Sequence, residues 1–327
     1  MNNLLASIYL KAARETTFIN DIDAIRTLEK YVADGYFTVT TKFIICDVQD
    51  LYTMIPRQGG LEALMRFLEK YSEKGRIGTL SMHHILRMGR LVLDTNCFAY
   101  NNKHYKQTGG GAMGSAFTQV FANIYMVEWE QGFFQYQATH REIYGRFAKN
   151  ISQLNNFTFM LLLCRYIDDI FMTTNQTIEE FNAELKKAQN KDINIKIEST
   201  ISTSVHFLDV TIANENGRLR TSIYHKPTAE PYILPYTSDH PRHIQRNIPY
   251  AALLRAARIC SHIDDFNLER IRIDMSLLLN QYPPNFITKY FNRFFEVNNA
   301  LLVLQQLDGQ MYQRLHNQLL YQPIRRE

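Results

Sequence analysis

The chain has 327 residues, 46% of them hydrophobic and 21% charged, with a formal net charge of +4, the balance of a globular protein of one large or two modest domains. Its longest apolar run, FTFMLLLC at 157–164, is too short to cross a bilayer, and the N-terminus lacks a basic start followed by an apolar stretch and a cleavage site. These features exclude a membrane-spanning or secreted chain and lead us to expect a soluble, intracellular protein. The four cysteines, Cys46, Cys97, Cys164 and Cys260, lie far apart without a CxxC pair. That spacing argues against a disulfide framework or a zinc site, suits a reducing compartment, and leaves the thiols as buried or neutral groups.

In chain order, apolar periodicity predicts a helix over 21–37 with Asp21 as its N-cap, then a strand at KFIICDV, 42–48. A turn at YTMIPRQGG leads into a helix from about Leu61 to Tyr71, and HHILRMGRLVLDTN reads as another. Asn101-Asn102 turns a short hairpin around CFAYNNKHYKQT, and SAFTQVFANIYMVEWEQGFF is helical. INIKIEST, VHFLDVTIAN and LRTSIYHK read as strands, the last two joined by a turn at Asn216-Gly217. Beyond Pro227 the chain is irregular and then helical from about Tyr250.

Two carboxylate clusters stand out against this background. CRYIDDIFMTTN, 164–175, sets Asp168 and Asp169 inside a strand-forming run, and the 42–48 strand ends in Asp47 with Tyr52 five residues on. If the two strands share a sheet, Asp47, Asp168 and Asp169 converge; carboxylates about 4 Å apart repel by roughly 4 kcal/mol per pair at a surface-like dielectric. A divalent cation relieves that repulsion, and an all-oxygen set favours two Mg²⁺ or Mn²⁺ ions, which can activate a hydroxyl and stabilise a leaving pyrophosphate. Taken singly, each Asp reads more readily as a cap or turn residue, and it is the joint pattern that favours a metal site.

Charge is uneven as well. Residues 218–258 hold seven Lys/Arg against two acids, with Tyr224, Tyr232, Tyr236 and Tyr250 interleaved. Such a block suits phosphate contacts beside aromatic surfaces, with a solvated basic face as the plain alternative.

The order D-x4-Y, QTGGGAMGSAFTQVFANIYM, RYIDD and HFLDVTI resembles the successive motifs of reverse transcriptases. YHKPTAEPYILPYTSDHPRHIQRNIPYAALLRAARICS is similar to the region after the palm in reverse transcriptases of Penelope-like retroelements, relatives of telomerase. The resemblance spans residues 17 to 296. It implies an α+β fold: a right-hand polymerase palm, an antiparallel sheet packed on helices, followed by a mostly helical thumb, with the fingers largely missing. Residues 1–40 become residual fingers and the helix leading into the palm, 41–217 the palm, and 218–327 the thumb.

The implied activity is RNA-directed DNA polymerisation on an RNA template and DNA primer, with deoxynucleoside triphosphates as substrates. The resemblance makes Asp47, Asp168 and Asp169 the catalytic, metal-binding carboxylates. It casts Tyr52 as the ring that excludes a 2′-hydroxyl, and Met113 and Gly114 as neighbours of the incoming nucleotide. Ser115 caps the next helix, although Thr118-Gln119 stands where the family has Ser-Pro. HFLDVTI matches the primer-grip hairpin, and Lys226, Arg242, Arg246, Arg255 and Arg258 would contact the duplex backbone. The family's general-acid lysine has three candidates, Lys187, Lys191 and Lys196. A nuclear location follows from that function alone. The alternative is a truncated, catalytically inactive remnant that still binds nucleic acid.

Two departures bear on activity. Only 46 residues precede Asp47, fewer than the family's fingers require, and no GIY…YIG nuclease motif is expected in the chain. Residues 147–165 also interrupt the run from EIYGR into YIDD; deleting those 19 codons, 57 nucleotides, restores it in frame. Arg146 precedes the segment and Arg165 ends it, and their codons can supply GT and AG splice boundaries, which marks 147–165 as a candidate retained intron, with a tolerated insertion as the alternative.

Overall fold

The computed structural model describes residues 1–147, 169–227 and 233–323. In chain order the elements are α1 (Asn2–Ala12), β1 (Thr17–Phe18), α2 (Asp21–Ala33), β2 (Lys42–Val48), α3 (Leu51–Met54), α4 (Arg57–Tyr71), β3 (Arg76–Ile77), β4 (Leu80–Ser81), α5 (Met82–Asp94), β5 (Cys97–Tyr100), β6 (Lys103–Lys106) and α6 (Ala116–Thr139). There follow β7 (Tyr144–Phe147), β8 (Asp169–Thr174), α7 (Ile178–Lys191), β9 (Ile197–Ser202), β10 (Ser204–Phe207), β11 (Val210–Asn214), β12 (Leu219–Ile223), α8 (Arg242–Ile259), α9 (Ile263–Leu279), α10 (Pro284–Val297), α11 (Leu301–Gln306) and α12 (Gly309–Tyr321). Two compact units emerge, Met1–Asn20 with Lys42–Ser202, and Asp21–Thr41 with Thr203–Glu327. The expected divisions after residues 40 and 217 therefore differ from the compact units. Residues 204–214 belong to the second unit because β10, β11 and β12 form one antiparallel sheet.

The first unit is built on a five-stranded sheet in the order β1-β7-β8-β2-β9, antiparallel except for β1 beside β7. Alternation along β2 and β8 sends Ile44, Cys46, Val48, Ile170 and Met172 into one core with Phe117, Val120, Phe121 and Phe133 of α6. α6 carries apolar side chains on nearly every side and is buried accordingly. On the other face, Phe43 stacks on Phe171 at 6.0 Å and Phe18 meets Phe171 edge-on at 6.3 Å. Gly145 is required beneath this group, since a Cβ there would lie 2.1 Å from the Phe18 ring.

A buried charge joins the sheet to the helices. Arg146 on β7 is fully buried; its Nε donates to Glu130 Oε2 at 2.9 Å, Nη1 to Asn123 Oδ1 at 2.6 Å, and Nη2 to the Tyr9 hydroxyl at 2.9 Å. Tyr144 adds a donor to Glu130 Oε2 at 3.2 Å. Burial works against the charge on Arg146, yet Glu130, then Tyr9 and Tyr144, hold its pKa above the ordinary value, so the guanidinium stays protonated.

In the second unit, α8 to α12 pack around Leu253, Ala256, Phe266, Leu277, Phe294, Phe295, Tyr312 and Leu319. The β11–β12 hairpin turns at Asn216 and Gly217, both at positive φ, as the sequence reading expects. VHFLDVTIAN is two strands instead of one, because Leu208 adopts φ +56° between β10 and β11. The helical region starts at Arg242 behind Pro241, eight residues before the expected Tyr250. α1 and α7 escaped the sequence reading, although Thr177 and Glu180 form a complete capping box at the start of α7. Among the described cysteines Cys46 and Cys260 are buried, their thiols pushed up to about 12 by burial, whereas Cys97 is exposed.

Replacing Arg146 by Ala leaves Glu130 buried without its counter-charge, a change that costs about 3–5 kcal/mol. Urea unfolding should register this loss, while Arg66→Ala, which removes an exposed pair with Glu128, should change stability by less than about 1 kcal/mol.

Candidate active site

β2 runs between β8 and β9, and its last turns of register decide the site. Asp47 lies directly opposite Asp169 on one side and Glu198 on the other. Residues opposed in this way point to the same face with Cβ atoms about 4.5–5.5 Å apart. The sheet therefore presents a row of three carboxylates, Asp169, Asp47 and Glu198, with the Phe43–Phe171 stack further along the same face. Burial, and then the charge of Glu198, raise the Asp47 pKa above the ordinary carboxylate value. Gln49 supports the row by donating its side-chain amide to Glu198 and its backbone N–H to Lys196 O, the latter at 2.9 Å.

Asp168 lies outside the described residues, and so does all of the 147–165 segment except Phe147. Among the described residues, no group of three or more His, Cys, Asp or Glu is arranged to hold a metal ion. Glu198 is the member of the row that the sequence reading missed. INIKIEST reads as a strand, but nothing local says which strand it will flank.

Tyr52 is buried in the core of the first unit within α3, and its backbone meets the Gly-rich loop. Gly111 N donates to Tyr52 O at 2.8 Å. Gly110, at φ +56°, makes this approach possible, since a Cβ there would stand 2.3 Å from Tyr52 O and 2.6 Å from Thr53 Cα. Met113 is 74% exposed and Gly114 follows at φ +92°. Ser115 caps α6 as expected, accepting from Thr118 N at 3.5 Å. A polar collar holds the loop: Arg57 donates to Gly110 O at 3.0 Å and to Gln107 O at 2.5 Å, while Gln107 Nε2 donates to Gly109 O at 2.9 Å and Gly111 O at 3.1 Å.

The candidate lysines separate by partner. Lys187 pairs with Glu184 on α7 at 2.9 Å, and Lys191 donates to Glu128 O at 2.9 Å. Lys196 is exposed at the start of β9, beside the end of β2.

The five basic residues assigned to the duplex divide in the same way. Lys226 and Arg242 are exposed. Arg246 is exposed and lines a cleft of about 750 Å³ with His243, Tyr250, Tyr290 and Arg293. Arg255 is engaged with Asp209 at 3.0 Å and Asp21 at 3.4 Å. Arg258 is buried, its Nε donating to Leu319 O at 2.9 Å, so its main task is to fasten α8 to α12. Arg293 and Tyr290, which the sequence reading did not single out, reach the cleft only because α10 packs beside α8.

Comparison with known proteins places this geometry in context. The family model described as an animal helix-turn-helix domain matches residues 232–292. Among solved structures, telomerase from Candida albicans in complex with a TWJ fragment of telomeric RNA is similar over 97% of this chain and 55% of its own length, with TM-score 0.65 and 9% identity. Apo telomerase from Candida tropicalis is similar over 96% of this chain and 55% of its own, with TM-score 0.53 and 12% identity. The Candida tropicalis enzyme in complex with a TWJ fragment gives 97% and 51%, TM-score 0.51 and 12% identity. The chain thus shares a mixed α+β fold with these telomerases and spans about half their length. No curated protein matches the sequence.

The carboxylate row has a consequence for stability in the presence of a chelator. The folded-state pKa of Asp47 is raised, so the folded chain binds the more protons and stability falls as pH rises from about 3.9 through the folded value. Asp47→Asn should raise the melting temperature at neutral pH, and the gain should fade as pH drops below about 4. Thermal melts of both proteins across that range check it.

Proposed function

We propose that this chain is an RNA-directed DNA polymerase of the Penelope-like retroelement type, with palm, primer grip and thumb in that order. The observation that carries the reading is the opposition of Asp47 and Asp169 across two strands, in a chain whose fold is similar to that of telomerases along nearly its whole length.

The donor set suits hard divalent cations: every candidate ligand is a carboxylate oxygen, and burial, then the charge of Glu198, already works against ionisation of Asp47. Asp47, Asp168 and Asp169 would hold two Mg²⁺ or Mn²⁺ ions, which when bound lower the pKa of a primer 3′-hydroxyl and stabilise the leaving pyrophosphate. The remaining work falls to the chain itself. Gly110 lets the loop approach the Tyr52 backbone and so sets Met113 and Gly114 on a fixed base beside the incoming deoxynucleotide. Tyr52 limits the space beneath the sugar, which selects against a 2′-hydroxyl. Lys226, Arg242 and Arg246 offer charge to the backbone of the template–primer duplex. A nuclear location accords with this activity.

The β7–β8 register supports reading 147–165 as a retained intron. Arg146 stands opposite Ile170. With that segment removed Tyr166 would follow Arg146 directly in the sequence. Arg146 is buried in the core, and the splice boundary restores an arginine at that position.

A second reading, nucleic-acid binding without polymerisation, is favoured by the helix-turn-helix match over 232–292, a motif that docks helices against nucleic acid. Primer extension on poly(rA)·oligo(dT) with Mg²⁺ or Mn²⁺ separates the two. We expect extension by the chain lacking residues 147–165, abolished by Asp47→Asn and by Asp169→Asn. Mg²⁺ should also raise the melting temperature of the unsubstituted protein and leave that of Asp47→Asn unchanged. Salt-sensitive duplex binding with no extension in any form would decide for the second reading, and a transcript retaining all 57 nucleotides would rule out the intron.

A further inference from the structure

The β5–β6 hairpin is exposed along all eight of its strand residues. Asn101 and Asn102, at φ +49° and +58°, close it with a tight two-residue turn. Its register opposes Phe98 to Tyr105 and Tyr100 to Lys103, so alternation puts all four on one face. Phe98 and Tyr105 stack at 5.6 Å with 20° between their planes. Tyr100 stands two residues along, about 7 Å further on. These rings are 52%, 42% and 64% exposed, unusual for three large aromatics on one small ribbon.

The charge around them is of one sign. No acidic residue occurs between Asp94 and Glu128, while Lys103, His104 and Lys106 all lie on the hairpin. None of these three has an acidic partner among the described residues. The face carries no Val, Ile or Leu, the aliphatic content expected of a protein-docking strand. The stem, by contrast, is held firmly: Asn96 Nδ2 donates to Gln107 Oε1 at 2.8 Å, Gln107 N donates to Asn96 O at 3.0 Å, and Gln107 in turn grips the Gly-rich loop.

We propose that the Phe98–Tyr100–Tyr105 face, with Lys103 beside the rings on the same face, is a stacking platform for single-stranded nucleic acid. Bases stack on the rings without sequence preference, and Lys103 contacts an adjacent phosphate. Unstacked bases are available only in a single strand, so the platform discriminates against duplex. The site shares its class of partner with the polymerase reading but needs neither metal nor nucleotide, so each can fail alone.

The test is fluorescence anisotropy with a short labelled oligonucleotide, as single-stranded RNA, single-stranded DNA and duplex, in EDTA across a salt series. Phe98→Ala/Tyr100→Ala/Tyr105→Ala should weaken single-strand binding by about tenfold or more while leaving duplex binding unchanged. Tyr105→Phe should retain affinity. Lys103→Gln should reduce the slope of log K against log salt by about 0.7. Since the substituted side chains are exposed, unchanged thermal melts are expected for all variants. Unaltered single-strand affinity, or an equal loss on duplex, overturns the proposal. So does a change confined to self-association, which would mark the hairpin as a protein contact. Primer extension is measured in parallel: extension without hairpin-dependent binding removes this inference alone, and hairpin-dependent binding without extension removes only the polymerase reading.

Discussion

The first unit depends on keeping one charge out of water. Arg146 is fully buried on β7, between β1 and β8, where a charge survives only if its donors are met by fixed acceptors. Glu130 and Asn123 of α6 and Tyr9 of α1 meet them. These bonds are directional, and so they define where β7 lies on the helical layer to a degree that apolar packing would not. β8 takes its register from β7, β2 from β8, and β9 from β2. The positions of Asp169, Asp47 and Glu198 result from that chain of pairings.

The row so formed opposes local stability. Like charges directly across a sheet repel, and burial, with the charge of Glu198 added to it, raises the Asp47 pKa. Sites where local preference and global fold disagree are where function is to be sought. The Gly-rich loop is a second such place: Gly110 gives up the side chain that would favour regular structure, and in return two backbones meet where any Cβ would collide.

Basic residues are a weaker guide than their number suggests. Arg255 and Arg258 lie in the same positive block as Arg246, yet both are engaged inside the second unit. Arg220 likewise serves Asp265 and Glu215. Charge clustering signals nucleic acid only after the internal pairs are removed. The β5–β6 hairpin, with fewer cations and no acids, retains more unpaired positive charge for its size.

Local pattern determined a good part of this protein. The 42–48 strand, the Ser115 cap, the Asn101-Asn102 and Asn216-Gly217 turns, and the alternation that sets Asp47 opposite in direction to Cys46 are all consequences of neighbours in sequence, because propensity, turn chemistry and pleat act over a few residues. The adjacency of Glu198 to Asp47, the burial of Arg146 and Arg258, the contact of Gly110 with Tyr52 and the cleft shared by Arg246 and Arg293 were decided only by tertiary structure. Each joins segments with no local signal for one another, and strand order, helix packing and the partner that a charged side chain finds are set by the energy of the whole core.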